Sequence, residues 1–259
     1  VALLRRPAEL LRAQSAEPAW VARWVPAGVP VTRVDGGAFG ARAARDMLGV
    51  LRPMMRIGIA NAFEPFSYSA QQIVLSTMII GLGVVPMAAN SYAARVQMLQ
   101  ITFSLVLALG SQILMAHWVG ARRFDDVDRL YWRVLRLATL VAGTYALVLW
   151  LLSDLVLGIF TQDESVKRLG NTLLLIAVFL EPARAVNIVA AFTLKTVGDA
   201  RFPVVIAILF IWGILPVIVF IDRLWGLSLV GFWIYFAADE LLRAGINMWR
   251  WRTGRWRSM

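Results

Sequence analysis

The sequence predicts an all-α membrane protein of six transmembrane helices, and three observations carry that prediction. Six apolar runs, at about 57–82, 87–115, 134–158, 170–194, 202–221 and 225–247, follow one another with short connections. A bilayer core of about 30 Å needs roughly 20 apolar residues as a helix, so each run is long enough to cross. The chain is also poor in charge: 59% of its 259 residues are hydrophobic and 16% are charged, against about 25% charged in a soluble domain. Mean hydropathy is +0.68. Finally, the basic residues are one-sided. With the N-terminus inside, all 26 lysines and arginines fall in inner segments except Lys167, Arg168 and Arg223 in outer loops and Arg95 and Arg184 within spans. Positive charge retained inside fixes orientation, so both termini are expected in the cytoplasm and the chain in the cell (inner) membrane.

The formal charge of +10 therefore reads as topology and as contact with anionic lipid headgroups, not as nucleic-acid binding. There is no cysteine and one histidine, His117. That excludes disulfides, thiol catalysis and Cys-based metal sites, and leaves little for His-based chemistry. No Walker motif, Gly-x-Ser-x-Gly or His-Glu-x-x-His occurs. No enzyme activity, cofactor or bound metal is expected.

Residues 1–46 are set apart as a loose basic cytoplasmic segment, rich in Ala, Arg and Pro and broken at Gly36–Gly37. No apolar signal region with a cleavage site opens it. A start at Val1 is expected of a truncated frame or an alternative start codon. Residues 47–259 form the six-helix lobe, closed by a tail that alternates Trp with Arg as an interfacial anchor does.

Span one carries Asn61, Glu64, Tyr68 and Gln71 at spacings of three, four and three, which puts them on one helical face, flanked by Gln72 and Ser76. A polar stripe through a membrane helix lines a cavity, and an ionisable residue there marks function or a protonated structural contact. Pro65 opens the backbone beside Glu64. Span two places Asn90, Gln97 and Ser104 seven residues apart on one face, with Arg95 beside them, either balancing Glu64 or near the outer mouth. Span three ends near Asp154, one turn from outer interfacial water. Span four holds Glu181, Arg184 and Asn187 around Pro182; Glu181 and Arg184 are i,i+3 neighbours, either a neutralised structural pair or a pair gated by protonation or cation binding. Span six carries Asp239 and Glu240 before Arg243, read as a charge-paired, snorkelling helix end.

Several segments, in order, resemble one family. These are FEPFS at Phe63–Ser67, PMAANSYAARV at Pro86–Val96, QILMAHWVGARRFDD ending at Asp126, LEPARAVNIVAAFTLKTVGDARFP at Leu180–Pro203, and GFWIYFAADELLR with the tail RWRTGRW. Together the chain resembles the C-terminal six-helix half of MATE (multidrug and toxin extrusion) transporters. The resemblance implies two six-helix lobes around a cavity that opens alternately to each side, driven by Na⁺ or H⁺. It implies a cation-binding carboxylate in the lobe's first helix, where Glu64 matches. Many relatives carry a second acid in the fourth helix. That position falls here at Arg184, with Glu181 one turn earlier, a departure that favours proton coupling or a variant subfamily.

The expected activity is cation-coupled export of drugs or other organic compounds by a half-length chain. The ion-coupling residues are Glu64, Glu181 and Arg184, and the cavity residues Asn61, Tyr68, Gln71, Arg95 and Asn187. Expected partners are the lipid bilayer, a small organic substrate, and a second six-helix lobe, either an N-terminal half or a second copy. The alternatives are a flippase of lipid-linked or polysaccharide precursors, and a non-transporting remnant or interaction subunit.

Overall fold

A computed structural model of the chain describes Met55 and residues 63–258. Among these the structure is helical throughout. The elements are α1 (63–81), α2 (Val84–Gly120), α3 (Phe124–Leu151), α4 (Ser153–Gly158), α5 (Glu164–Thr196), α6 (Arg201–Trp225) and α7 (Leu229–Arg252). A 3₁₀ turn, Arg255–Ser258, closes the chain. The loose N-terminal segment expected at 1–46 lies outside the described residues.

Local chemistry explains the helix ends. Asp163 caps α5 by accepting from the Ser165 amide at 2.8 Å, and Ser228 caps α7 by accepting from Gly231. Gly226 after α6 sits at φ 66, a left-handed turn that a Cβ would strain. The expected third span divides. Its helix stops at Leu151, and Ser153–Gly158 form a separate short helix. The polar pair Ser153–Asp154 marks the break, but apolar residues resume at Leu155, so hydropathy averaged over a whole span passes over it. Two contacts hold it: Asn171 of α5 donates to Ser153 at 2.6 Å, and Leu157 fits against Gly170 so closely that a Cβ there would lie 2.8 Å from it.

Among the described residues, four helices, α2, α3, α5 and α6, are long and apolar enough to cross a membrane. Helices α1 and α7, the first and last of the six expected spans, carry Glu64, Gln71 and Gln72, and Asp239, Glu240 and Arg243 respectively. Helix α5 is central: half of its apolar window is buried, against 22–28% in the other three. It packs against α2, α3 and α7. Small residues at these crossings, such as Ala138 and Ala142 on α3 and Ala185 and Ala190 on α5, are fully buried and let the backbones approach, as membrane helices require. Large apolar side chains such as Leu99, Ile113, Leu140 and Leu209 face outward, which suits contact with lipid or another apolar helix face and not with water.

The buried apolar residues form two clusters. One joins Leu75, Ala93, Leu180, Phe232 and Ala237. The other joins Ala108, Tyr131, Ala185, Leu194 and Trp251. Along α2, α5 and α7 the first cluster ends before the second begins, and the larger buried side chains between them are mostly polar.

Candidate functional site

Buried polar side chains fill the level between the two clusters. Helix α2 contributes Gln97, Gln100 and Ser104; α5 contributes Glu181; α7 contributes Asp239, Glu240, Arg243 and Asn247. Arg184 and Asn187 join them from α5. Glu181 Oε1 accepts from Arg184 Nη1 at 2.6 Å. The same guanidinium reaches across to α7, its Nε 3.6 Å from Glu240 Oε1. Asn187 donates to Glu240 Oε2 at 2.7 Å and accepts from Asn247 at 2.9 Å. Arg243 pairs with Asp239 and stands 3.5 Å from Glu240. Five charged groups therefore form one continuous chain linking α5 to α7.

Desolvated charges of this kind persist only when paired and hydrogen-bonded, since an isolated one costs several kcal/mol. The pairing is incomplete. Asp239 Oδ1, Arg243 Nε, Asn247 Oδ1 and Gln97 Nε2 are buried without a partner among the described residues.

One edge of this layer opens on a cavity of about 140 Å³ whose polar wall is Tyr68, Gln72, Ser76, Asn90, Gln97 and Arg184. The walls come from α1, α2, α5 and α7. Trp233 of α7 helps to close it and donates to Asn90 at 2.9 Å. The volume suits a few waters or an ion more than an organic molecule.

The expected site residues divide. Glu181, Arg184 and Asn187 meet in the charged layer, and Tyr68 lines the adjoining cavity. Gln71 turns away from that cavity and donates to Tyr235 of α7 at 3.1 Å; the cavity-lining stripe of α1 is Tyr68, Gln72 and Ser76, one residue round from the face that includes Gln71. Glu64 stands apart, its Oε2 2.7 Å from Lys195 Nζ in the last turn of α5. Lys195 is eleven residues beyond Arg184, about 16 Å at 1.5 Å per residue. Arg95 is exposed and makes no ion pair with Glu64. Asn61 lies outside the described residues, as does the carbonyl that Pro65 would free.

Asp239 and Glu240 do not snorkel. They are 3% and 8% exposed and belong to the charged layer. A signal for this existed: Glu240, Arg243 and Asn247 recur at spacings of three and four, a polar face continued more than a turn inside the Trp-Arg tail.

The MatE family model matches residues 60–220. The uncharacterized transporter YisQ of Bacillus subtilis (strain 168) is 30% identical over 207 residues, covering 80% of this chain and 46% of YisQ. YoeA of the same organism, a probable multidrug resistance protein, is 22% identical over 208 residues, 77% of this chain and 44% of YoeA. Among solved structures, the MATE transporter ClbM in complex with Rb⁺ superposes with a TM-score of 0.71 at 18% identity, over 84% of this chain and 52% of ClbM. The chain thus spans about half the length of the curated relatives it matches.

Proposed function

Because this chain belongs to the MatE family, a family of integral membrane transporters, we propose that it forms one lobe of a cation-coupled antiporter exporting organic compounds. The observation that carries the proposal is the polar layer. Glu181, Asp239 and Glu240 face Arg184 and Arg243, so one negative charge is in excess when all are ionised. A proton or a monovalent cation neutralises that excess. Adding or removing it changes which carboxylate each arginine holds, and so biases how α5 and α7 pack. A second candidate, Glu64, is held by Lys195 at 2.7 Å; cation capture there requires the lysine to move aside.

Two comparisons support the reading. ClbM was solved with Rb⁺, a monovalent cation, and YoeA is described as a probable multidrug resistance protein. Similarity to such proteins favours export over the flippase alternative. The coupling ion is H⁺ or Na⁺. The lobe's basic end, with α2–α3, α5–α6 and the tail, faces the cytoplasm of the cell membrane. A second six-helix lobe supplies the opposite wall of the transport path, because the cavity of about 140 Å³ in this lobe is too small for a drug-sized molecule.

Reconstituted vesicles test this. A complete two-lobe assembly should export a fluorescent organic cation under one imposed gradient, of H⁺ or of Na⁺, and vesicles holding this chain alone should not. Export with no gradient imposed would overturn the coupling proposal. Gradient-driven export by this chain alone would make the second lobe another copy of it.

A further inference from the structure

The geometry points to a bound anionic glycerophospholipid on the outer face of α3, its phosphate held by Arg133 and Arg136 and an acyl chain laid along Leu140, Thr144 and Val148.

Two grooves lie in succession on this helix. The first, of about 540 Å³, is lined by Asp128, Arg129, Trp132, Arg133 and Arg136. The second, of about 430 Å³, is lined by Leu140, Val141, Thr144, Tyr145 and Val148. The i,i+4 ridge Trp132, Arg136, Leu140, Thr144, Val148 runs through both, so they follow one track along the helix surface. From Arg136 to Val148 is about 18 Å at 1.5 Å per residue, comparable to the roughly 15 Å of one leaflet's hydrocarbon. Leu140 is 68% exposed and Val148 45%.

Charge supplies the choice of occupant. Arg129 shares the single carboxylate of Asp126 with Arg123, at 2.7 and 2.6 Å. Arg133 and Arg136 are exposed and have no acidic partner among the described residues; Arg136 Nε only donates to the Trp132 carbonyl at 3.1 Å. Arg252 of α7 stacks over the Trp132 ring at 5.4 Å, adding a further cation and an aromatic floor at the level where apolar surface gives way to charge. Asp128, the acid in this groove, accepts from Trp251 Nε1 at 2.8 Å, and its single negative charge leaves Arg133, Arg136 and Arg252 a net positive balance beside it. A zwitterionic headgroup brings no net charge to these arginines, and a free phosphate makes no use of the apolar groove; an anionic phospholipid uses both.

Native mass spectrometry of the purified full chain, titrated with phosphatidylglycerol or phosphatidylcholine, tests this. The wild type should retain phosphatidylglycerol in preference. R133Q/R136Q should weaken that retention on the order of tenfold, from the contribution of each basic side chain near an anionic surface. The control R122Q/R201Q removes two exposed arginines elsewhere and should leave retention within about twofold. Thr144→Trp, which fills the apolar groove and spares every arginine, should weaken it as well. Equal loss in both arginine pairs, no preference for the anionic lipid, unchanged retention in Thr144→Trp, or displacement by inorganic phosphate at millimolar concentration would each overturn the assignment.

Discussion

Lys195 Nζ lies 2.7 Å from Glu64 Oε2, joining the last turn of α5 to the first described turn of α1. The carboxylate that the family resemblance marks for coupling is thus held by a lysine on a neighbouring helix, about 16 Å along α5 from Arg184. Both side chains keep only a fifth to a quarter of their surface exposed, so the pair lies between a surface ion pair, at about 1 kcal/mol or less, and a buried one, whose loss costs roughly 3–5 kcal/mol.

Glu64→Gln in a two-lobe assembly keeps the shape and the hydrogen-bonding reach to Lys195, so it should leave expression and folding in place while abolishing gradient-driven export. Lys195→Gln should leave export in place and shift its ion dependence, because the competing cation is gone. Wild-type export with unchanged ion dependence in Glu64→Gln would assign Glu64 a structural role and leave Glu181 as the coupling carboxylate.

The charged layer behaves differently because it is buried. Arg184→Ala strands Glu181 and removes a cation from Glu240. Loss of one partner of a buried pair costs roughly 3–5 kcal/mol. A large fall in the thermal unfolding midpoint in detergent is expected, and Arg184→Ala combined with Glu181→Ala should recover part of it. Additive losses in the double variant would show that the two side chains are not coupled.

Gly170 makes a packing prediction. A Cβ there meets Leu157 at 2.8 Å, and the leucine end must shift. Gly170→Val should cost about 1–3 kcal/mol by overpacking, and less in a Leu157→Ala background. Equal costs in the two backgrounds would mean that α4 does not sit on α5 as described.

Topology can be read by labelling, since the sequence has no native cysteine. Cysteines at Ser165, in the first turn of α5, and Thr253, after α7, are both at exposed positions. They should react with an impermeant maleimide from opposite sides of the membrane. Reaction from the same side contradicts the orientation drawn from the basic residues.

The sequence by itself determined the class, the helices and the family. Hydropathy summed over about 20 residues is additive along the chain, so the apolar runs were legible without knowing their neighbours. So were the local pair Glu181–Arg184, three residues apart on one helix, and the polar character of α1. Tertiary structure decided which polar groups meet. Glu64 found Lys195, 131 residues away, and Asp239 and Glu240 entered the layer beside Arg184 instead of reaching for an interface. It also decided that span three breaks at Leu151, where the two polar residues Ser153 and Asp154 are too few to end an apolar run. The reason in each case is rotational. A helix's periodicity says which residues share a face, but which neighbour that face meets is set by how whole helices pack. One residue's turn about the axis separates Gln71, bonded to Tyr235, from Gln72, which lines the cavity.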